Sequence, residues 1–187
     1  MPDLRFRRYD AQGARAIRDT VAFIHRDAYG DAIASGDPFE SPEAFMQRFD
    51  AHTRHPSLDL VVAYVGDEPA GQTWGWPMDK PTIADPSGEA TEEPQSASAH
   101  HGGKPMFALA EIMVRKAWTG QGIAHALHDE LLRARTEPRA ELFVRPQNTR
   151  AHGAYIKWGW RKAGEIRPDL PDAPTFDVLI LTLPLAR

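Results

Sequence analysis

A glycine-containing turn in the second half of the chain constrains the fold more than any other local feature. It follows an apolar run at 106–114 that has the length and composition of a buried strand. It precedes a segment with apolar residues at helical spacing, at Ile123, Leu127 and Leu131. Between them, the sequence Thr-Gly-Gln-Gly at 119–122 carries the chain from strand to helix. The pattern therefore predicts a strand–turn–helix unit inside an α/β domain.

The rest of the chain supplies strands and helices in a mixed order. Strands are predicted at 4–7, 58–65, 70–78, 106–114, 140–144, 160–167 and 176–183. Helices are predicted at 14–28, 41–53, 123–134 and 148–158, the second and fourth beginning at capping residues Ser41 and Asn148. This order predicts one α/β (α+β) domain, residues 1–187, in which helices pack around a single sheet.

One stretch of the chain lacks the residues that build a core. Residues 80–105 contain Pro, Ser, Gly and acidic residues, and Ile83 is the one large aliphatic among them. Such a segment buries too little apolar surface to offset the entropy lost on ordering. We therefore expect a mobile insertion at 80–105 within the single domain.

Composition excludes several classes of function. The net charge of −4 gives no basic face for nucleic acid, so no nucleic-acid partner is expected. The chain has no cysteine, which removes disulfides, thiolate metal sites and a cysteine nucleophile and fits a reducing compartment. The first eight residues are charged where a signal peptide is apolar, and no run approaches the ~18 apolar residues of a membrane span. We expect a soluble, cytoplasmic protein without membrane association.

The glycine turn is suited to hold a phosphate. Gly120 and Gly122 allow successive backbone N–H groups to point into one concavity, and the helix N-terminus adds partial positive charge. A dinucleotide-binding fingerprint requires a third glycine where this chain has His125, and an acidic residue where it has Arg145. A P-loop requires Lys-Ser/Thr after the last glycine, where Ile-Ala stands at 123–124. An ordinary strand-to-helix turn remains the alternative.

Two segments together resemble the signatures of the GNAT superfamily of N-acetyltransferases. Residues 119–124 resemble its acetyl-CoA signature, Arg/Gln-x-x-Gly-x-Gly/Ala, although Thr119 stands where the family has Arg or Gln. Residues 148–160 resemble its second signature, Asn-x-x-Ala-x-x-x-Tyr-x-x-x-Gly-Phe/Trp, with Ala151 and Tyr155 one helical turn apart. The resemblance covers roughly residues 106–183.

The resemblance implies a GNAT-type fold and a transferase activity. The fold would be a mixed, mostly antiparallel central sheet of about seven strands flanked by about four helices. The activity would be that of an acyltransferase moving an acetyl group from acetyl-CoA to a primary amine, by direct attack in a ternary complex. The acceptor would be a small-molecule or peptide amine of undetermined identity. Homodimers are common in the superfamily, so a homodimer is compatible with the resemblance.

The resemblance also assigns roles to individual residues. Tyr155 would protonate the departing thiolate, Asn148 would bond a pantetheine amide, and Ala151 would let the pantetheine arm pass close to the helix. The remaining cofactor-binding residues would act through the backbone: Ile112, Met113 and Val114 toward the acetyl and pantetheine amides, and Thr119, Gly120, Gln121, Gly122, Ile123 and Ala124 toward the pyrophosphate.

Three points stay open at the level of sequence. Glu111 is the leading candidate for the base that takes the amine proton, but a salt-bridged or solvated strand residue is an equal alternative. His125 and His128 form at most half a metal site, and a solvated helix face is the favoured interpretation, so no metal is expected. The alternative to an enzyme is a catalytically silent domain that binds acyl-CoA as a sensor or scaffold.

Overall fold

The computed structural model describes residues 3–79, 81–83, 105–169 and 172–185 and is built on one seven-stranded sheet. The strands are β1 (Leu4–Tyr9), β2 (Asp59–Val65), β3 (Glu68–Met78), β4 (Met106–Val114), β5 (Arg139–Val144), β6 (Arg161–Ile166) and β7 (Phe176–Thr182). Their order across the sheet is β1-β2-β3-β4-β5-β7-β6. All neighbours are antiparallel except β4 and β5, which run parallel. The predicted mixed, mostly antiparallel sheet is confirmed.

Six α-helices accompany the sheet in the described part of the chain. They are α1 (Ala11–Ala16), α2 (Arg18–Ala28), α3 (Gly30–Ala34), α4 (Pro42–His52), α5 (Ile123–Leu132) and α6 (Thr149–Lys157), with short 3-10 turns at 38–40 and 116–118. The single helix predicted at 14–28 is broken at Ile17. The two pieces pack in different directions, α1 against β1 and β2 and α2 against β3 and β4, and a straight helix cannot follow both.

Each face of the sheet has its own hydrophobic core. On one face α5 and α6 pack against the central strands, with Leu127, Leu131 and Tyr155 among the buried residues. On the other face α1, α2 and α4 enclose Phe45, Trp74 and neighbouring side chains. Burial of these apolar surfaces is the main driving force for the fold.

A bulge in β4 decides which side chains face which core. Trp74 pairs with Glu111 and Gly75 pairs with Leu109, so Ala110 is an extra residue on β4. Before the bulge Leu109 faces the α5–α6 core, and after it Ile112 takes that face. Glu111 therefore lies toward the α1–α4 layer, the side on which Met113 is buried.

The parallel pairing of β4 with β5 is short. It covers three residue pairs and ends at Ala108 with Glu141, although both strands continue. Beyond that point β5 pairs with β7 alone, so β4 and β5 separate. A gap with backbone polar groups along its sides opens where the glycine turn begins.

Most of the predicted insertion at 80–105 lies outside the described residues, and its mobility stays a prediction. In the described piece 81–83, the backbone N–H of Thr82 donates to the Glu141 carboxylate on β5 at 3.1 Å. The start of the segment thus crosses from β3 to β5. No helix in the described part of the chain combines the length and the hydropathy needed to span a membrane.

Candidate active site

The glycine turn has the backbone shape that an anion requires. Gly120 and Gly122 both have positive φ, 77° and 81°, and α5 begins directly after Gly122. No side chain among the described residues caps this helix, so the N–H groups of its first turn point outward without a capping partner. The turn therefore fits a pyrophosphate at a helix N-terminus.

Side chains of the turn brace its backbone. The hydroxyl of Thr119 donates to the carbonyl of Lys116 at 2.9 Å, and the Gln121 amide donates to the carbonyl of Ala117 at 3.2 Å. The backbone N–H of Lys116 donates to the Asp27 carboxylate at 2.6 Å, which ties the turn to α2. The departure at Thr119 thus has a structural role in the turn.

The gap between β4 and β5 exposes a strand edge. The N–H of Arg115 donates to the carbonyl of Ala70 on β3, so the backbone groups of this residue face β3. Because backbone direction alternates along a strand, Met113 also faces β3, and Ile112 and Val114 face the gap. Of the three predicted main-chain contacts, those of Ile112 and Val114 are therefore directed into the gap.

Helix α6 places three predicted residues beside the gap. Asn148 is its N-cap, and the side-chain oxygen accepts from the N–H of Ala151 at 3.2 Å. The amide nitrogen of Asn148 is then the group that can donate to a ligand. Ala151 and Tyr155 lie one turn apart and both contact the α5–α6 core.

Tyr155 is buried, and its hydroxyl has no partner among the described residues. The residue is 7 % exposed, with its ring edge-on to those of Trp158 and Trp160. Its hydroxyl forms no hydrogen bond with any residue that the structure describes. A tyrosine that served only the core would satisfy this group, so the lack of a partner among the described residues favours a role toward a ligand.

The charge of Glu111 acts on Tyr155. Burial raises the pKa of Glu111 to about 7, with Glu40 adding to the rise and Arg48 and Arg145 opposing it. Burial also raises the pKa of Tyr155, and the charge of Glu111 adds to that effect. A carboxyl that titrates near neutrality and a protonated phenol are a suitable base and acid pair.

Residues of the α1–α4 side act on Glu111 through their charge or are affected by its charge. Tyr29 is half-buried, and burial and the charge of Glu111 raise its pKa. The Arg145 guanidinium binds Asp37 at 2.5 Å and Glu40 at 3.1 Å. In the sequence, Arg145 argues only against a dinucleotide-binding fingerprint. The sequence carried one local signal of this group of residues: Asp37 precedes a proline, and the Asp37 side chain caps the 3-10 turn at 38–40.

The structure corrects the interpretation of His128 as a solvated residue. His128 is buried and accepts from the Trp160 indole N–H at 3.0 Å, while His125 remains exposed. Asp129, not considered in the sequence, lies 2.9 Å from the other ring nitrogen of His128. The indole N–H can only donate, so His128 donates to Asp129 and both ring nitrogens are occupied. Burial lowers the pKa of His128, consistent with the neutral ring.

Solved structures with the same fold come from several acetyltransferases. The PaiA N-acetyltransferase of Thermoplasma acidophilum, in complex with coenzyme A, has a TM-score of 0.55 at 11% identity over 97% of this chain and 99% of that one. Arabidopsis thaliana NAA60, in complex with a bisubstrate analogue, has a TM-score of 0.61 at 14% identity over 98% and 99%. The aminoglycoside N-acetyltransferase AAC(6')-Iy, in complex with CoA, has a TM-score of 0.59 at 12% identity over 91% and 97%.

These likenesses at low identity establish the fold. A search of curated protein sequences gives no match to the chain. The model of the acetyltransferase (GNAT) family matches residues 22–160, which include β2 to β5, the glycine turn and α6. The match spans most of the sequence, and the chain belongs to the GNAT acetyltransferase family.

Proposed function

We propose that this chain is an N-acetyltransferase that moves an acetyl group from acetyl-CoA to a primary amine, by direct attack in a ternary complex. The observation that carries the proposal is the pairing of Glu111 with Tyr155. The pKa of Glu111 is raised to about 7, and Tyr155 is a buried residue whose hydroxyl bonds no residue that the structure describes. A domain that only binds acyl-CoA has no need of such a pair.

The chain offers donors suited to coenzyme A along one continuous path. The first-turn amides of α5, with Gly120 and Gly122, would hold the pyrophosphate. The backbone groups of Ile112 and Val114 would bond the pantetheine amides, as a neighbouring strand would. Asn148 would donate its amide, and the small side chain of Ala151 would leave room for the arm. Bound acetyl-CoA would supply the activated acetyl thioester.

Glu111 would accept the proton of the amine, directly or through a water. Freeing the lone pair of an amine with a pKa of about 10.4 at neutral pH costs roughly 4.6 kcal/mol. A carboxylate with a pKa of about 7 accepts that proton with about 3 kcal/mol less penalty than an ordinary glutamate. The raised pKa therefore serves the reaction, although it leaves part of Glu111 protonated at pH 7.

Tyr155 would donate its proton to the departing thiolate. Proton transfer from an ordinary tyrosine to a thiolate, whose conjugate thiol has a pKa of about 8.5, costs roughly 2 kcal/mol. The raised pKa of Tyr155 keeps the phenol protonated, as an acid must be, and increases that cost. The same buried surroundings raise the proton affinity of a thiolate, which offsets the increase.

The test is a comparison of wild type with Tyr155→Phe. Calorimetry should give equal acetyl-CoA affinity for both, and amine-dependent thiol release should fall about 10²–10⁴-fold in the variant. Tyr64→Phe is the matched control and should retain the rate. It removes a hydroxyl on β2 that lies 3.5 Å from the hydroxyl of Tyr9 on β1.

Two other outcomes contradict the proposal. Acetyl-CoA binding without turnover of any amine would support the silent sensor or scaffold. No acyl-CoA binding at all would leave residues 119–124 as an ordinary strand-to-helix turn.

A further inference from the structure

Three phenylalanines form a cluster on the Glu111 side of the sheet. The ring of Phe176 lies 5.8 Å from that of Phe39 and 6.2 Å from that of Phe143. Phe176 is nearly buried, Phe39 is half-buried and Phe143 is 37 % exposed. Few large apolar side chains in the described residues are this exposed, so an exposed phenylalanine joined to two others is a candidate contact surface.

The cluster borders the proposed catalytic centre. The Phe39 ring lies beneath two guanidinium groups, Arg48 at 3.8 Å and Arg145 at 5.3 Å. The charges of both arginines act on Glu111. Phe143 lies in the half of β5 beyond the last residue pair with β4, where the strands separate. The cluster therefore lies next to the two arginines whose charges act on Glu111.

The charged groups around the cluster balance each other. Asp37 and Glu40 supply two negative charges, and Arg48 and Arg145 supply two positive charges. Both carboxylates are already bonded by Arg145. Among these described residues no surplus of negative charge remains to attract an acceptor with several ammonium groups, whose desolvation would need unpaired carboxylates.

We propose that the acceptor is a small primary monoamine bearing an aromatic or branched apolar group, and that Phe39, Phe143 and Phe176 bind that group. The inference rests on the proposed acetyltransferase function and narrows its acceptor class. Burial of an apolar group on the exposed Phe143 ring is favourable in proportion to the area removed from water. The single ammonium group would then lie toward Glu111.

The first arm of the test is a panel of amines at saturating acetyl-CoA. We expect kcat/KM for 2-phenylethylamine to exceed that for ethylamine by about tenfold or more, because the two differ by an apolar group. Spermidine and kanamycin should be poorer acceptors than 2-phenylethylamine. Equal kcat/KM for the two monoamines, or a preference for a polycation, would overturn the inference and leave the acetyltransferase function standing.

The second arm uses a pair of matched variants. Phe143→Ser should lower kcat/KM for 2-phenylethylamine by about tenfold, mainly through KM, and leave that for ethylamine unchanged. Phe23→Ser removes a ring of similar exposure, 42 %, that lies against Arg115 instead, and should preserve the ratio between the two amines. Thermal unfolding of both variants verifies that each is folded. An unchanged ratio in Phe143→Ser contradicts the inference.

Direct binding separates this inference from the proposed function. Calorimetric titration of 2-phenylethylamine into the CoA-loaded protein needs no turnover. Tighter binding than ethylamine, lost in Phe143→Ser, supports the cluster even for a protein that acetylates no amine. Equal binding of both amines overturns the inference whatever the activity.

Discussion

Glu111 occupies a position where a charged carboxylate is unfavourable. It faces the α1–α4 layer because the bulge at Ala110 shifts the alternation of β4, and burial there raises its pKa to about 7. Arg48 and Arg145 limit this rise by stabilising the ionised form. The residue is thus poised between its two protonation states at neutral pH, as a general base requires.

The pH profile tests this role. A base acts only when ionised, so kcat/KM should rise with pH through a limb near pH 7, in addition to the limb from the amine itself. Glu111→Gln should lower kcat/KM by about 10²–10⁴-fold and remove the limb near pH 7. Measurement of kcat/KM against pH for both proteins checks the expectation.

Glu141 provides the control for that profile. It is a buried carboxyl whose pKa is likewise raised by burial, but it bonds Thr82 in the described piece 81–83. Glu141→Gln should keep the limb near pH 7. A limb that persists in Glu111→Gln would rule out Glu111 as the base.

At the scale of elements, the glycine turn depends on backbone conformation more than on space. A Cβ built on Gly122 meets no described atom within 4 Å, and the same holds for Gly66 in the β2–β3 hairpin. Both have positive φ, 81° and 61°. Alanine at either position is therefore strained without a clash, at a cost of about 1–2 kcal/mol.

This pair separates stability from cofactor binding. Gly122→Ala and Gly66→Ala should lower the melting temperature by similar amounts, since both suffer the same strain. Only Gly122→Ala should weaken coenzyme A binding, because it changes the direction of amides at the start of α5. Thermal unfolding and calorimetry measure the two effects. Equal affinity of the two variants for coenzyme A would show that the glycine turn does not bind the cofactor.

The bulge in β4 depends on a different glycine. A Cβ on Gly75 would lie 2.0 Å from the carbonyl oxygen of Ala108, so Gly75→Ala must displace backbone. We expect a loss of several kcal/mol in unfolding free energy, as for other overpacked buried sites. Gly153 within α6 meets no described atom within 4 Å, and Gly153→Ala should instead gain about 0.5–1 kcal/mol. Denaturant unfolding compares the two variants. Equal changes in unfolding free energy would contradict the close pairing of β3 with β4 at Gly75.

At the scale of the molecule, Arg145 joins distant parts of the chain. It follows β5 and binds Asp37 and Glu40, more than 100 residues earlier in sequence. Removing it leaves two partly buried carboxylates with weaker compensation. Arg145→Met should therefore lower the unfolding free energy by about 2 kcal/mol at neutral pH. Arg18→Met, which breaks an exposed pair with Asp50, should lower it much less, because water screens that pair.

The loss of unfolding free energy in Arg145→Met should depend on pH. The hydrogen bond from Arg145 lowers the pKa of Asp37. A carboxyl with a lowered folded-state pKa adds stability above its usual pKa of about 4, and that stability is lost as pH falls through the folded value. The difference between wild type and Arg145→Met should shrink from about pH 5 to about pH 3 in urea unfolding. A difference independent of pH would assign the effect to packing alone.

Local signals in the sequence predicted the elements that carry the cofactor site. The strand at 106–114 has the predicted bounds, and Ser41 and Asn148 cap α4 and α6 as expected. Gly120 and Gly122 adopt the positive φ that their position in a turn indicated. Such features depend on interactions within a few residues, which is why a single sequence displays them.

The surroundings of Glu111 came from tertiary structure alone. Tyr29, Glu40 and Arg145 meet around Glu111 because the sheet order brings the 3-10 turn 38–40 beside the end of β5. The sequence predicted a solvated His128, but the indole N–H of Trp160, 32 residues later in the chain, donates a hydrogen bond to it. No local pattern encodes these contacts.

The sequence by itself determined the family signatures, the caps and the strand–turn–helix unit, because propensity and spacing act over short stretches of chain. The tertiary structure decided the separation of β4 from β5, the bulge at Ala110 and the partial burial of Glu111. Those features arise from pairing and packing between residues far apart in sequence. The pKa of a buried carboxyl depends on such surroundings and not on its immediate sequence neighbours.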